Sequence, residues 1–372
     1  MNRAYKFRIY PTKEQEQMIV KTFGCCRFLY NKMLEDKIQE YQKTKKQKRT
    51  TPAMYKKEYP WLKEVDSLAL ANVQLHLEGA YKAFFRDSKI GYPRFKTKHG
   101  SRQSYTTNVV NGNIRLTEKH LKLPKMTEIR IRKHREIPEG YRLKSVTISR
   151  EATGKYYASL LYEYDVCENQ ATEEKKKAEE ILGIDYAMKG MAILSDGTCC
   201  EYPGAYRRTE WKLSREQRRL SHCQKGSSNY RKQKRKVALC HEKVRNQRKD
   251  FHHKLSHKLA EKYDAVSIED LDMKAMSQCL KLGKGVMDNG YGQFREMLSY
   301  KLEERGKKLV KVDRFYPSSK RCSVCGRVKK ELSLSERIYR CECGNEMDRD
   351  VNAAINIREE GRRILETEYI SA

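Results

Sequence analysis

The first half of the chain shows both strand-like and helical patterns of hydrophobic positions. Residues 4–10, AYKFRIY, alternate apolar and polar side chains and are rich in aromatic and β-branched types, which predicts a strand. Residues 67–88 place apolar residues at helical spacing, and residues 104–165 return to short alternating runs such as LKSVTISR. We therefore expect residues 104–165 to form a β-rich, barrel-like piece that pairs with the first strand.

A long helix is predicted directly after the first strand. Thr12 and Gln15 have the spacing of a capping box, in which each side chain accepts a hydrogen bond from the backbone N–H of the other. The helix should run to about residue 43, where the basic stretch KTKKQKRT interrupts the pattern.

Aromatic side chains cluster at the end of the 67–88 helix and in the segment after it. They lie in AFFRDSKIGYPRFK and are Phe84, Phe85, Tyr92 and Phe95. Apolar side chains at helical spacing usually belong to a core. We therefore expect these rings to be core and hinge residues rather than platforms on which bases stack.

The second half of the chain begins with a charged segment and three short strands. Residues 170–180, QATEEKKKAEE, are charged and of low complexity, which predicts a linker. Strands are predicted at 181–185 and 191–194, and a third follows a Ser-Asp-Gly turn. Three antiparallel strands with an aspartate on the first are how an RNase H-like domain begins. Further along, DAVSIED and KKLVKVDRFY predict two more strands, with the helix YGQFREMLSYKLEERG between them.

Two strongly basic helices are predicted over residues 206–258. This stretch has eighteen Lys and Arg residues against four Asp and Glu residues, and KGSSNY divides it in two. An excess of fourteen positive charges favours contact with phosphates, which provides affinity but does not read sequence. The side chains expected to make these contacts are Arg207, Arg208, Arg215, Arg218, Arg231, Lys232, Lys234, Arg235, Lys236, Arg245 and Arg248.

Length and charge narrow the class of partner. At 372 residues the chain can form two or three domains, and its formal net charge is +30 with a pI near 9.6. Nucleic acid is the usual partner of so basic a surface, and a membrane surface is the weaker alternative. The sequence has no apolar run of membrane-spanning length, no hydrophobic signal segment and no lipidation motif. We therefore expect a cytoplasmic, nucleoid-associated protein without a membrane partner.

Four cysteines give the strongest local signal. Cys322 and Cys325 are spaced Cys-x-x-Cys, and after fifteen intervening residues Cys341 and Cys343 follow as Cys-x-Cys. Two such knuckles supply four thiolates for a tetrahedral zinc ion, which is structural because no position stays open for water. The second knuckle has one residue fewer than the common pattern, so the spacing leaves open how fully it binds zinc. The alternative is a chance cluster of reduced cysteines.

Three carboxylates occupy rigid positions. Asp185 ends the strand in ILGID, Glu269 ends the strand in VSIED, and Asp350 opens the helix in DRDVNAA. Converging carboxylates can hold two metal ions that activate water and stabilise a departing oxygen on phosphate. Asp270 and Asp348 are neighbours of the same kind, and Asp348 also has the position of a helix cap. Spacing alone does not choose among these acids.

The order of these pieces resembles that of TnpB, a family of transposon-encoded, RNA-guided nucleases related to the type V CRISPR effectors. The resemblance covers nearly the whole chain, and its motifs are YKFRIYPTKEQEQMI, LEGAYKAFFR, GIDYAMKGMAILSDG, SIEDL, YPSSKRCSVCG and CGNEMDRDVNAAINI. It implies an α/β multidomain fold: a RuvC-like (RNase H-like) nuclease domain with a zinc-ribbon insert, preceded by a wedge-type β-barrel with a helical recognition insert. The boundaries it implies are 1–10 and 96–169 for the barrel, 11–95 for the recognition insert, 170–180 for the linker, 181–318 and 347–372 for the nuclease domain, and 319–346 for the zinc-ribbon insert that binds target nucleic acid.

The resemblance also implies a function and assigns the site. By motif, Asp185, Glu269 and Asp350 take the three catalytic metal-ligand positions, for two Mg²⁺ ions, and Asp348 is left as a neighbour. The implied activity is RNA-guided DNA cleavage, with magnesium-dependent double-strand breaks in DNA that matches the guide beside a short flanking motif. The implied partners are a guide RNA from the transposon end and double-stranded target DNA, bound by a monomer.

Two other functions stay open. A nuclease-dead, RNA-guided DNA-binding repressor would share the fold, although such a protein is expected to lose one of the three acids, and all three are present. A DNA transposase would use the same acidic triad for strand transfer. It would also have to hold two transposon ends, and the sequence shows no separate helix-turn-helix domain.

Overall fold

The computed structural model describes residues 1–46, 49–87, 89–98, 100, 102–165, 179–187, 190–278, 283–333 and 335–370. The chain divides into two compact units, Met1–Val166 and Cys167–Ala372. The linker predicted at 170–180 lies outside the described residues, except for Glu179 and Glu180. The backbone N–H groups of these two residues each donate a hydrogen bond of 3.2 Å to the Asp264 carboxylate.

The first unit contains a sheet of seven antiparallel strands. They are β1 (Asn2–Tyr10), β2 (Gln103–Asn108), β3 (Arg115–Leu116), β4 (His120–Lys122), β5 (Ile129–Arg132), β6 (Arg142–Arg150) and β7 (Tyr156–Glu163). Their order is β2-β6-β7-β1-β5-β4-β3. The first strand therefore pairs with β5 and β7 in the later β-rich segment, as predicted. Because β2 and β3 stand at the two ends of this order, the described strands form an open sheet rather than a closed barrel.

Helices occupy the chain between β1 and β2. They are α1 (Lys13–Thr44), α2 (Pro52–Glu58), a 3₁₀ helix (Pro60–Glu64) and α3 (Ser67–Arg86). The predicted capping box is confirmed, since the Gln15 N–H donates to Thr12 Oγ1 at 3.3 Å and the Thr12 N–H donates to Gln15 Oε1 at 2.9 Å. Helices and sheet share one hydrophobic core, which contains fully buried Phe7, Leu29 and Leu70.

The aromatic cluster at the end of α3 is not part of that core. Phe85, Tyr92 and Phe95 are 67%, 43% and 53% exposed, so the prediction that they are core residues is wrong. The reason is that the buried face of α3 ends at Leu77, and the last turns of the helix extend beyond the core.

The second unit is built on a mixed sheet of five strands. They are β8 (Ile181–Ala187), β9 (Met191–Leu194), β10 (Cys199–Glu201), β11 (Ala265–Glu269) and β12 (Lys308–Val312). The order across the sheet is β10-β9-β8-β11-β12. The first three strands are antiparallel in succession, β11 is parallel to β8, and β12 is parallel to β11. All five strands predicted for this region are present.

Helices and a small hairpin complete the second unit. The helices are α4 (Ala205–Ser221), α5 (Ser228–Lys262), α6 (Met273–Gln278), α7 (Gly283–Asn289), α8 (Tyr291–Glu303) and α9 (Arg349–Ile370). The two basic helices separate within KGSSNY as predicted, and the Ser227 side chain caps α5 by accepting the Tyr230 N–H at 3.1 Å. The hairpin of β13 (Ile338–Arg340) and β14 (Glu346–Asp348) leads directly into α9. In the part of the chain that the structure describes, no helix is long and apolar enough to cross a membrane.

Helix α9 packs very closely on the second sheet. A Cβ atom on Gly183 of β8 would lie only 2.0 Å from the carbonyl oxygen of Ala354. A Cβ atom on Gly361 of α9 would lie 1.7 Å from Ser267 Oγ of β11. The two glycines therefore allow α9 to approach both central strands, and this contact fixes Asp350 relative to the strand that carries Asp185.

Candidate active site and metal centre

Two of the three predicted acids lie side by side on the second sheet. Strands β8 and β11 are parallel neighbours, with Ile184 opposite Ile268. Asp185 and Glu269 are the next residues on these two strands, and both are half-buried. Their carboxylates therefore emerge near the carboxyl ends of adjacent strands.

The third predicted acid, Asp350, lies in the first turn of α9. The neighbouring Asp348 has a different role, because its Oδ1 accepts the N–H of Asp350 at 2.9 Å and the N–H of Val351 at 3.1 Å. Asp348 is thus the cap of α9, one of the two roles that its position in the sequence allowed.

The three acids interact electrostatically. Burial, together with the negative charges of Glu269 and Asp350, raises the pKa of Asp185 well above its ordinary value, whereas the Arg349 guanidinium lowers it. Burial also raises the pKa of Glu269. A buried carboxylate whose pKa is raised by neighbouring carboxylates marks a site that favours cations.

Two arginines border the acids. Arg349 Nη2 and Nε lie 3.1 and 3.2 Å from Asp350 Oδ1. Arg295 Nη1 of α8 lies 3.4 Å from Asp270 Oδ1. Asp270 is therefore held in an ion pair with α8.

Ser318 is a neighbour of the site that the sequence analysis missed. Its Oγ donates a hydrogen bond of 2.5 Å to Glu269 Oε1, and this bond opposes the rise in the Glu269 pKa that burial causes. Ser318 is itself buried. The motif YPSSKRC contains this serine, but nothing in its spacing indicates a carboxylate 49 residues away.

Two buried asparagines fasten the Ser318 segment to α9. Asn356 Nδ2 donates to the carbonyl oxygens of Ser318 and Arg321 at 2.8 and 2.7 Å. Asn352 Nδ2 also donates to Arg321 O at 2.7 Å, and Asn352 Oδ1 accepts the Ser323 N–H at 3.0 Å. The available signal was two asparagines four residues apart in VNAAINI, a stretch of α9 that is otherwise apolar, because buried amides need hydrogen-bond partners.

Ser318→Ala is expected to change the pH dependence of the activity of this site. The hydroxyl stabilises the ionised form of Glu269, so its loss raises the pKa of Glu269 further. On acidification the carboxylate is then lost at a higher pH. A hydrogen bond to a charged group contributes about 1.5 kcal/mol or more, so the acidic limb of the rate profile should move up by about one pH unit. Reaction rates measured across that limb test this shift. Ser318→Thr keeps the hydroxyl and should keep the wild-type profile, whereas an unchanged profile in Ser318→Ala would contradict the assigned contact.

The four predicted zinc ligands meet in one place. The Sγ atoms of Cys322 and Cys343 are 3.7 Å apart, and those of Cys325 and Cys341 are 3.6 Å apart. Sulfurs about 2.3 Å from a tetrahedral metal lie about 3.8 Å from one another, so the cluster has the dimensions of such a site. Each cysteine of the shortened second knuckle faces one cysteine of the first knuckle.

Tight turns and backbone N–H groups shape the cluster. Gly326 and Gly344, which follow the two knuckles, have φ of 76° and 91°, in the region that favours glycine. Although Cys322 is buried, the N–H groups of Cys325 and Val324 point at its sulfur and help to lower its pKa to about 6. This environment favours the thiolate of Cys322, which is the form that binds metals. Although the Asn345 N–H lowers the pKa of Cys343, contacts with the side chains of the other three cysteines and partial desolvation outweigh it and raise that pKa to about 12.

Most of the predicted phosphate-binding side chains face solvent. Nine of the eleven are exposed: Arg207, Arg208, Arg218, Arg231, Lys232, Lys234, Arg235, Lys236 and Arg245. Arg215 is half-buried, with its guanidinium 4.7 Å from the centroid of the Trp211 ring. Arg248 is also half-buried, and its guanidinium lies 3.8 Å from the buried carboxylate of Asp288. The structure therefore gives Arg248 a partner within the unit.

A basic groove runs between α4 and α5. Its volume is about 510 Å³. The cationic side chains that line it are Arg208, Lys212, Arg215, Lys236 and Lys243. Glu216 also lines the groove, and its carboxylate accepts a hydrogen bond of 2.7 Å from Gln233 Nε2. The lining is therefore strongly positive.

Three family models match the chain. The IS605 OrfB model, described as a probable transposase, matches residues 162–280, and the Cas12f1-like TNB domain matches residues 291–357. A model described as a helix-turn-helix domain of OrfB matches residues 1–46. In the structure these 46 residues form β1 and the single long helix α1.

Curated relatives match either a part of the chain or nearly all of it. TnpB-like protein L79 of Acanthamoeba polyphaga mimivirus is 34% identical over 36% of this chain and 27% of its own length. A protein of Streptomyces pristinaespiralis, named a putative RNA-guided DNA endonuclease, is 37% identical over 96% of this chain and 89% of its own length. The chain belongs to the TnpB family. A further TnpB relative, the putative RNA-guided DNA endonuclease InsQ of Escherichia coli K12, is 31% identical over 98% of this chain and 93% of its own length.

The TnpB fold also matches a solved structure. The chain aligns with Cas12f1 from its complex with sgRNA and target DNA, with a TM-score of 0.53 and 12% identity. The alignment covers 96% of this chain and 98% of Cas12f1. At this identity the match concerns the multidomain fold.

Proposed function

We propose that this protein is an RNA-guided DNA endonuclease of a transposon, which makes magnesium-dependent double-strand breaks in DNA that matches its guide beside a short flanking motif. The observation that carries the proposal is the placement of Asp185 and Glu269 on adjacent parallel strands, with Asp350 in the first turn of α9, where burial and the other two acids raise the pKa of Asp185. The names of the relatives from Streptomyces pristinaespiralis and Escherichia coli, which the chain matches over 89% and 93% of their lengths, support it.

The second unit is assigned as the RuvC-like nuclease domain. Its strand order, with three antiparallel strands followed by two parallel ones and an aspartate on the first, supports an RNase H-like sheet. Asp185, Glu269 and Asp350 would hold two Mg²⁺ ions, because carboxylate oxygens are the ligands that Mg²⁺ prefers. Bound there, the ions supply an activated water and stabilise the leaving oxygen of an in-line displacement at phosphorus.

The surrounding residues hold these ligands in place. Asp185 and Glu269 extend from strands, and Asp350 extends from a capped helix, which are rigid supports. Ser318 binds one oxygen of Glu269 and thereby orients the other. Because a cation binds the ionised form, the raised pKa of Asp185 couples cation binding to proton release.

The cysteine cluster is assigned as a structural zinc site in a zinc-ribbon insert spanning residues 319–346. Four thiolates complete a tetrahedral shell, so this zinc would take no part in the chemistry. Its role follows from position, because the second knuckle and β14 lead directly into α9, which carries Asp350. The zinc would thus stabilise the approach to the active-site helix.

Cys325→Ser is expected to remove the zinc and to lower cleavage together with it. One zinc ion per chain should be measured in the wild-type protein by elemental mass spectrometry, and much less in the variant, because three thiolates bind zinc less tightly than four. Cys199→Ser, which changes an exposed cysteine outside the cluster, should retain full zinc content. A wild-type protein purified without zinc and fully active would contradict the assignment.

The protein is proposed to act as a monomer. Its proposed partners are a guide RNA from the transposon end and double-stranded target DNA. The cationic groove between α4 and α5 supports contact with their phosphates. The first unit, with a wedge region at 1–10 and 96–169 and a recognition insert at 11–95, is proposed to read the flanking motif.

RNA retained by the protein tests the proposal. The protein is expressed with the DNA that flanks its gene and purified in high salt, and the bound RNA is sequenced. A discrete structured RNA with a variable 3′ segment is expected. Random fragments, or no RNA, would overturn RNA guidance. Binding of the transposon ends without RNA would then favour the transposase that the IS605 model describes.

A further inference from the structure

A cavity in the first unit combines aromatic rings with positive charge. It is lined by residues of the C-terminal halves of α1 and α3, together with Lys45, Arg49 and Tyr92 from the segments that follow them, and has a volume of about 840 Å³. This volume is in the range of roughly 300–1,000 Å³ that is usual for ligand sites. Among the described residues, its lining contains none of the acids, cysteines or basic side chains assigned above.

Four rings form one wall of the cavity. Tyr81 and Phe85 stack with a centroid distance of 6.4 Å and an interplanar angle of 22°. Tyr92 meets Tyr81 edge-on at 5.5 Å, with a hydroxyl–hydroxyl distance of 2.7 Å, and Phe84 lies 5.4 Å from Tyr92. These contacts orient the rings, yet Phe85 and Tyr92 remain 67% and 43% exposed. Oriented rings with exposed faces favour the stacking of a flat ligand.

Positive charge surrounds this wall. The cationic side chains in the lining are Lys37, Lys45, Lys82 and Arg49. Lys37 Nζ lies 5.7 Å from the centroid of Tyr81, and Lys45 Nζ lies 5.6 Å from the centroid of Tyr41. Glu78 is the carboxylate in the lining. Four cations against one carboxylate favour an anionic ligand over an apolar peptide or a lipid chain.

We propose that this cavity binds an unpaired nucleotide, with the base stacked on Phe85 and Tyr92 and the phosphate held by the lysines and Arg49. A nucleotide combines a flat base, which can stack on these rings, with a negatively charged phosphate. In a duplex the faces of the bases are covered by their neighbours, so the site selects single strands. The inference rests on the proposed function, which supplies two such strands: unpaired parts of the guide RNA and the DNA strand that the guide displaces.

The test compares Phe85→Ala with Phe95→Ala, which removes an exposed ring that does not line the cavity. Affinities of the full-length protein for short single-stranded RNA, single-stranded DNA and duplex DNA are measured by fluorescence anisotropy. Phe85→Ala should weaken single-strand binding by about 5- to 150-fold, the value of one stacked base, and leave duplex binding within about twofold. Phe95→Ala should leave all three affinities unchanged. Phe85→Trp should retain single-strand binding because it keeps a stacking ring.

The basic helices also bind phosphates, so crosslinking locates the base. Strands substituted with 5-iodouracil should crosslink to Tyr81, Phe85 or Tyr92. If Phe85→Ala loses affinity only for single-stranded RNA, the ligand is the guide. If it loses affinity only for single-stranded DNA, the ligand is the displaced strand. A loss for both assigns a sequence-tolerant single-strand site. Unchanged single-strand affinity in Phe85→Ala, an absence of these crosslinks, or an equal loss for duplex DNA overturns the inference.

This readout does not depend on cleavage, so the two proposals can fail separately. If the protein carries no discrete RNA but Phe85→Ala still weakens single-strand binding, the proposed function fails and the nucleotide site stands. If guided cleavage is found but Phe85→Ala changes nothing, the nucleotide site alone fails.

Discussion

Asp185→Asn is expected to reduce guided DNA cleavage by at least about 1,000-fold while binding of matched DNA stays within about twofold of wild type. Asparagine keeps the shape of the side chain but removes the charge that attracts a cation. The charge of Asp185 interacts with those of Glu269 and Asp350, so its loss weakens the whole site rather than one ligand position. Single-turnover cleavage and a parallel binding assay with the same target measure the two effects.

The stability of the metal-free protein shows whether this variant is folded. The pKa of Asp185 is higher in the folded state than the ordinary value of about 3.9, so the folded state binds the proton more tightly. The stability of the folded state is therefore lost as the pH rises from the ordinary pKa of aspartate through the higher pKa that Asp185 has in the folded protein. Asp185→Asn removes this loss, and its melting temperature in a chelator should exceed that of wild type at neutral pH. The difference should disappear at a pH below the ordinary pKa. A lower melting temperature at neutral pH would contradict the assigned burial and repulsion.

Asp270→Asn is the matched control, because Asp270 follows Glu269 in the chain but pairs with Arg295. The cleavage rate of Asp270→Asn should stay within about tenfold of the wild-type rate, because the substitution removes at most one exposed ion pair. Equal losses in Asp185→Asn and Asp270→Asn would mean that the site is assigned to the wrong acids. A wild-type protein that binds matched DNA without cutting it would favour the repressor.

Gly183→Ala is expected to destabilise the second unit and to reduce cleavage although no charge changes. The added Cβ would lie 2.0 Å from the Ala354 carbonyl oxygen and 2.7 Å from the Arg358 nitrogen, both of which belong to the backbone. The strand and α9 must therefore move apart, which costs about 3 kcal/mol or more. The movement also displaces Asp350 from Asp185. Chemical unfolding followed by circular dichroism measures the first effect, and the cleavage rate measures the second.

Gly292→Ala is the control for this substitution. Its Cβ would meet only Met273 Cγ at 3.9 Å, which is an ordinary contact, and the residue lies in helix α8. Alanine in a helix is favoured over glycine by roughly 0.5–1 kcal/mol, so this variant should be as stable as wild type or slightly more stable. If Gly183→Ala were equally harmless, α9 would not pack on β8 as the structure shows.

Local patterns predicted much of the fold. The capping box of Thr12 and Gln15 involves residues three positions apart, so the sequence contains all of its geometry. The strands that carry Asp185 and Glu269 were predictable because a short, mainly apolar run precedes each acid. The cysteine cluster was predictable because metal-ligand spacing is itself a local pattern.

Features that depend on distant contacts were not predictable from the sequence. Asp348 and Asp350 are equivalent by spacing, and only the hydrogen bonds of Asp348 to the backbone of α9 distinguish the cap from the candidate ligand. Ser318 has no local link to Glu269. The exposure of Phe85 could not be read from helical periodicity, since periodicity does not show where the partner surface of a helix ends.

Exchange of the guide tests the central claim most directly. The 3′ segment of the RNA is replaced by a new sequence, and the protein is purified with this RNA. The complex is then given magnesium and a plasmid. The plasmid contains the new target beside the flanking motif and the old target elsewhere. We predict a double-strand break at the new target and none at the old one, abolished by Asp185→Asn. Cleavage that stays at the old target, or that occurs without RNA, would contradict RNA guidance.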